Sequence, residues 1–323
     1  LLLFITSCSK NTSTYKAYTT NNEIDSLFYL SNNDTLRIGV LKKAEISISK
    51  FKNDSLKINS SLKLGYIYLI NGHLDEFKRV NLNLLNIPLI KRDYLSYALS
   101  NEYFGYYYQL IYKPDSAFYY YNKSLSLNKR AKNQINQARI YLSLATIQEN
   151  VKDYTGSEIN TIKSISRLRN SNQYQNLYLA FNNLAVVYNK LGKYNLAIEN
   201  HQNTIKYLKE LGNKNLEAMS LNNIGWVYSK KKEFKESIKY YKRALETEKL
   251  FETRPQTYAT LLDNLAYSKF KLGNLDDIPD LFFKALQIRD SLNFKDGQVI
   301  SNIHLSEYFQ SKYDTLKAIQ HLT

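Results

Sequence analysis

A bulky residue followed by a small one and, three positions later, an aromatic recurs along the chain at a fixed interval. The clear copies are Leu64-Gly65 with Tyr68, Phe104-Gly105 with Tyr108, Leu184-Ala185 with Tyr188, and Ile224-Gly225 with Tyr228. Weaker copies are Leu144-Ala145, Leu265-Ala266 and Leu305-Ser306, so the first members are spaced 40, 40, 40, 40, 41 and 40 residues apart. Self-similarity at such a period is the mark of a repeat architecture, in which each unit hides its apolar face only against its neighbours. Within a unit two helical patterns flank a polar turn. Tyr178 to Tyr188 is apolar at helical spacing, Leu191-Gly192-Lys193 breaks the pattern, and Tyr194 to Leu211 resumes it through Ala197, Ile198, Ile205 and Leu208. The expected unit is therefore a helical hairpin.

Small residues belong where two helices cross closely. Gly65, Gly105, Ala145, Ala185, Gly225, Ala266 and Ser306 fill that position on the first helix; Ala117, Ser157, Ala197, Ser237 and Ala318 stand twelve residues later on the second. A bulky side chain there would push the axes beyond the usual 8 to 10 Å. Repeats are expected to start near 58, 98, 138, 178, 218, 259 and 299. Upstream, Asp34 to Phe51 reads as an amphipathic helix which, with Ile24 to Leu30, forms an atypical first hairpin over 23–57. The last unit stops at Thr323, within its second helix, and the pattern predicts a stack that continues beyond it.

The pattern resembles the tetratricopeptide repeat, whose Trp, Leu-Gly, Tyr, Ala and Phe positions correspond here to Leu221, Ile224-Gly225, Tyr228, Ser237 and Tyr241. The resemblance spans roughly residues 58–323. It departs from the common form in its period of 40 instead of 34, as in the kinesin light chain type, and in lacking the usual Pro at the end of the second helix. Pro88, Pro114, Pro255 and Pro279 are irregularly placed, and Pro279 is expected to delay or kink its helix. The resemblance implies an all-α, right-handed superhelical solenoid whose concave wall is built from the first helices.

It also implies a binding groove. Successive first helices carry Asn182-Asn183, Asn222-Asn223 and Asp263-Asn264, and seven residues after each second Asn lies Lys190, Lys230 or Lys271. Residues seven apart share a helix face. In peptide-binding members of the family, the positions matching Asn183, Asn223 and Asn264 hold the backbone of an extended ligand, since an amide donates and accepts at once. The lysines would favour an acidic ligand. Trp226 and Tyr267, three residues past two of these Asn, complete the expected groove. The alternative is that the amides bridge neighbouring hairpins, the lysines are solvated helix ends and the aromatics are packing.

Composition narrows the rest. The chain has 323 residues, 44 Lys and Arg against 29 Asp and Glu, and a single Cys. The excess positive charge is spread along the chain; the densest run, Lys230 to Arg243, is broken by Glu233 and Glu236, so no nucleic-acid footprint emerges. One Cys excludes an internal disulfide. His73, His201, His304 and His321 show no metal-ligand spacing, and no nucleophile elbow, phosphate loop or dinucleotide turn is present. His201 falls where the family has a packing aromatic. Asp276-Asp277 reads as a helix start favoured by the dipole. No cofactor, metal or catalysis is expected.

The amino terminus, Leu1 to Lys10, resembles a bacterial lipobox. Ile5, Thr6 and Ser7 would precede the cleaved bond and Cys8 would carry the lipid, with the charged start of the signal peptide lying outside this sequence. The alternative is an apolar end with a chance Cys. Segment 1–8 is thus read as a signal remnant and 9–22, rich in Ser, Thr and Asn, as a flexible tether. Two functions follow: a lipid-anchored, periplasm-facing scaffold that binds a protein or peptide, or the sensory region of a longer signalling protein with a kinase or helix-turn-helix output.

Overall fold

The computed structural model describes residues 37–273 and 278–321. All regular structure among them is helical, with no strand. The chain divides between Asn170 and Ser171 into two compact units. The first contains α1 (Arg37–Ser49), α2 (Asp54–Ile70), α3 (Leu74–Leu85), a 3-10 turn (Pro88–Lys91), α4 (Tyr94–Leu110), α5 (Pro114–Arg130), α6 (Gln134–Asn150) and α7 (Tyr154–Leu168). The second contains α8 (Tyr174–Lys190), α9 (Tyr194–Glu210), α10 (Lys214–Lys230), α11 (Phe234–Leu245), α12 (Leu250–Thr253), α13 (Pro255–Lys271), α14 (Ile278–Ser291), α15 (Lys295–Ser311) and α16 (Thr315–Gln320). Within each unit consecutive helices pair and the pairs stack, which is the solenoid arrangement of helical hairpins.

The period has a simple composition. In α4 to α5 two helices of 17 residues alternate with turns of three, 111–113 and 131–133. Both helices therefore contribute to the length of the repeat. Where the second helix has only 12 residues, as in α3 and α11, the 3-10 turn or α12 occupies the remaining length. First helices begin at Asp54, Tyr94, Gln134, Tyr174, Lys214, Pro255 and Lys295, four residues ahead of the apolar pattern in the sequence. The packed face already starts within several of these opening turns, as at Ser96, Asn136 and Leu177, which are buried. Pro88, Pro114 and Pro255 open the 3-10 turn, α5 and α13, where a residue without an N–H loses no intrahelical bond. Pro279 lies within α14, two residues after a segment outside the described residues. Asp276-Asp277, Ile24 to Leu30 and Cys8 lie outside the described residues.

The hairpin turns share one backbone device. Gly72, Tyr112, Lys152, Gly192, Lys232, Gly273 and Tyr313 all adopt positive φ, at the same spacing as the sequence repeat. At six of these turns the next N–H reaches back five residues, as from Lys193 to Tyr188 O at 2.8 Å and Glu233 to Tyr228 O at 2.9 Å, closing the last carbonyls of the first helix. Asn53, Asp93, Asn133, Asp153, Asn213 and Asp314 cap the following helices by accepting from backbone N–H groups.

Packing across each hairpin is matched in size. The face of Gly105 is filled by the ring of Tyr121 and that of Gly225 by Tyr241, each sixteen residues on. The same step pairs Ala145 with Thr161 and Ala185 with His201 in register, so a smaller partner stands where the first helix already carries a methyl group. At the start of the first unit, Leu41, Ala44 and Ile48 of α1 join Leu64, Tyr68 and Phe77 in one buried cluster, so α1 covers the apolar side of the first full pair. Arg79 on α3 pairs with Glu45 on α1 through both guanidinium nitrogens.

His201 is buried to 2% exposure on α9 and its Nδ1 has no hydrogen-bond partner. Burial pulls its imidazole down to about 4. Because the folded state disfavours the charged form, stability is complete above the unfolded value near 6.5 and falls as pH drops towards 4. The difference amounts to about 3 kcal/mol in all, of which about 2 are lost by pH 5. Thermal melts from pH 7.5 to 4.5 should show His201→Leu losing less stability on acidification than the unaltered chain; parallel pH curves would contradict this account.

Candidate ligand-binding face

The residues expected to line a groove all fall in the second unit, on α8, α10 and α13. Asn183 is half-buried on α8 and engaged with its surroundings. Asn223 is half-buried on α10 and its amide makes no hydrogen bond among the described residues. Asn264 on α13 reaches back to α10, donating through Nδ2 to Asn222 Oδ1 at 3.0 Å. This bond ties adjacent first helices together, so Asn264 acts as a strut, yet its carbonyl and the Nδ2 of Asn222 keep their capacity for a further partner. Asn222 is the residue that the sequence reading left out; its position one residue before Asn223 was the available signal.

One helical turn on, Trp226 stands 38% exposed, with Lys230 Nζ 5.0 Å from its ring centroid. Residues 222, 226 and 230 follow one another at i, i+4 and i+8 and form one ridge of α10. An exposed indole beside a cation with no carboxylate partner presents an apolar plate and a positive charge together. Lys190 is likewise exposed at the end of α8.

The corresponding ridge of α13 is more occupied. Tyr267 stacks on His304 of α15 with centroids 4.2 Å apart, and Lys271 lies 4.9 Å from the same Tyr267 ring. Lys271 also pairs with Glu307 of α15 at 2.8 Å. Burial works against its charge, but the bond to Glu307 and the neighbouring Tyr267 outweigh it and raise the ammonium above its ordinary value. Tyr267 and Lys271 thus hold α13 to α15, and Trp226 and Lys230 remain the more available pair.

Asp263, the residue before Asn264, is wholly buried. Its Oδ1 accepts from Ser301 Oγ at 2.9 Å and lies 3.4 Å from Arg289 Nη1; its Oδ2 meets His304 Nδ1 at 2.8 Å. Arg289, 2% exposed, donates from Nη1 to Gly297 O at 2.9 Å and to Ser301 Oγ at 2.5 Å. Burial pulls the guanidinium below its ordinary range, against the pull of Asp263. A buried ion pair thereby fastens α13, α14 and α15.

No group of three or more His, Cys, Asp or Glu able to hold a metal occurs among the described residues, and none of their helices is long and apolar enough to cross a membrane. Two open hollows, of about 620 and 420 Å³, lie along α14 at Phe283 and at the α8–α9 turn by Tyr194; neither takes in a residue of the amide face.

Stacked antiparallel helix pairs carrying amides on successive first helices define a scaffold of repeated helical hairpins. Residues 176–247 match the family model of the tetratricopeptide repeat, and helix pairs of the same kind recur on both sides of that segment. No curated protein matches the sequence. Among solved structures, the chain is similar to the signal-transduction ATPase PH0952 of Pyrococcus horikoshii, which carries a tetratricopeptide repeat sensor. The TM-score is 0.70 at 14% identity, over 86% of this chain and 44% of that one. It is similar to aspartyl phosphate phosphatase F of Bacillus subtilis, with TM-score 0.60 at 15% identity over 96% and 94%. It is also similar to NprR in complex with its cognate peptide NprX, with TM-score 0.52 at 15% identity over 92% and 86%. At these identities the likeness establishes the fold.

Proposed function

We propose that the protein is a non-enzymatic scaffold that binds an extended peptide or protein segment along α10 and α13, and that a lipid on Cys8 tethers it to a bacterial membrane facing outside the cytoplasm. The observation that carries the binding reading is the row formed by Asn222, Asn223 and Asn264 beside the exposed Trp226 and Lys230. Amides with spare donors and acceptors suit a peptide backbone, an indole suits an apolar side chain, and an unpaired ammonium suits a carboxylate. The similarity to NprR bound to a peptide supports the same reading. The lipid anchor rests on Ile5-Thr6-Ser7-Cys8 alone.

Selection of random dodecapeptides displayed on phage against the full chain tests the binding. Recovered peptides should lose affinity by about tenfold or more with Asn223→Ala combined with Trp226→Ala, while the melting temperature stays within a few degrees. Unchanged affinity with a large drop in melting temperature would make these side chains structural. For the anchor, Cys8→Ser should move the protein expressed in a bacterial host from the membrane to the soluble fraction.

The likeness to the sensor-bearing ATPase favours a second reading, the sensory region of a longer signalling protein. A reading frame that continues into an output domain would decide for it. The likeness to a phosphatase gives the enzymatic alternative a direct assay: hydrolysis of the aspartyl phosphate of a response regulator by this chain would overturn the non-enzymatic reading.

A further inference from the structure

The positions Asn183, Asn223 and Asn264 recur at intervals of 40 and 41 residues, and the next step of 40 falls on His304. The side chain there repeats the behaviour of Asn264. Each reaches back from its own first helix to the preceding one: Asn264 to Asn222 at 3.0 Å, His304 to Asp263 at 2.8 Å. The residue contacted is equivalent in the two repeats, since Asn222 and Asp263 are 41 apart. His304 is thus the fourth rung of the row.

What differs is the chemistry of the rung. Asp263 is buried and shared with Arg289, so its carboxylate accepts from Nδ1–H, and the ring is held in place by stacking on Tyr267. This leaves the proton of a neutral His304 on Nδ1 and the lone pair on Nε2. Nε2 makes no hydrogen bond to the described residues, and the side chain keeps 18% of its surface open.

We infer that His304 is a further ligand-binding residue of this face, at which Nε2 accepts a backbone N–H of the bound peptide, with Asp263 as its positioning residue. This rests on the peptide-binding reading and extends it in one respect: binding is acid-sensitive. On protonation Nε2 becomes a donor and opposes the ligand N–H. The charged and titratable groups that face the ring are Asp263, Tyr267 and Lys271 from α13, Arg289 from α14 and Glu307 on its own helix. Arg289 is paired with Asp263, and Lys271 with Glu307.

The test uses the full chain and His-free dodecapeptides recovered by the selection at pH 7.5. Affinity is measured calorimetrically at pH 7.5, 6.5 and 5.5 for the unaltered chain and for His304→Asn, which restores the residue found on the other three rungs. The unaltered chain should bind about five- to tenfold more weakly at pH 5.5 than at 7.5, and His304→Asn should change less than twofold over the same range. His imidazole nitrogen resonances, assigned by their loss in His304→Asn, should report a protonated Nδ1 and an Nε2 that shifts when peptide is added. Equal pH profiles for both chains, or an Nε2 that ignores the peptide, would overturn the role of His304 while leaving peptide binding intact. Tighter binding on acidification would place a ligand carboxylate at Nε2 and overturn the acceptor role. Failure to recover any peptide would overturn the proposed function itself, and this inference with it.

Discussion

Asp263→Ala is expected to destabilise the second unit by about 3–5 kcal/mol, the cost of leaving one member of a buried pair uncompensated. Arg289 cannot turn to water in response: it is 2% exposed, its Nη1 is already tied to Gly297 O, and its Nε has no partner. The charge would stay in the interior with one compensating group fewer. Ser301 and His304 lose their acceptors in the same step, which adds to the effect. Joint replacement, Asp263→Ala with Arg289→Met, should recover most of the loss, because an apolar pair of similar volume removes the desolvation cost along with the attraction. Urea unfolding of the four chains measures this directly. Hydrogen exchange in α13, α14 and α15 separates it from the first unit, whose protection should not change. A loss below about 1 kcal/mol for the single replacement would mean that the carboxylate carries little of the packing between these helices.

The network also shows where reading the chain alone falls short. Asp263-Asn264 looks like a variant of Asn222-Asn223, and neighbours in a helix differ by about 100° in direction. Nothing local to the pair says that the first of the two meets an arginine 26 residues later. The repeat itself was legible for the opposite reason. A close helix crossing demands a small residue in every unit, so the constraint is written at constant spacing from Gly65 to Ser306. The turns were legible only in part. Gly192 and Gly273 announce a left-handed backbone, whereas Lys152 and Lys232 adopt the same conformation with φ of 64° and 62°, held by the bonds that close the helix ends. Asn264 was legible as a position and not as a partner, since whether an amide meets a ligand or its neighbour depends on the distance between helices, which periodicity does not fix. His304 was missed because a rung is recognised by its residue type, and here the type changes while the position does not.

The crossing residues make the second large effect, and they divide. Gly225→Ala places a methyl carbon 2.6 Å from Tyr241 Cε1 and 2.8 Å from Cδ1, and Gly105→Ala does the same to Tyr121 at 2.6 Å; at Gly65 the nearest atom is Phe77 Cδ2 at 3.7 Å, an ordinary contact. A ring held between two helices is no flexible side-chain end, so it yields only if the hairpin opens. Alanine in a helix interior gains about 1 kcal/mol over glycine, and overpacking costs about 1–3 kcal/mol. Gly65→Ala should therefore stabilise by up to about 1 kcal/mol, whereas Gly225→Ala and Gly105→Ala should destabilise by about 1–2 kcal/mol, and Gly225→Leu by more than 3 kcal/mol. The hairpin of Ala145 and Thr161 supplies the control. Adding Gly225→Ala to Tyr241→Thr recreates that pairing and should cost little beyond Tyr241→Thr alone, so the two changes couple by about 1 kcal/mol or more. Additive losses, or a Gly225→Ala chain as stable as the original, would show that the glycine is not set by the ring across from it, and the size matching that positions α10 against α11 would have to come from elsewhere.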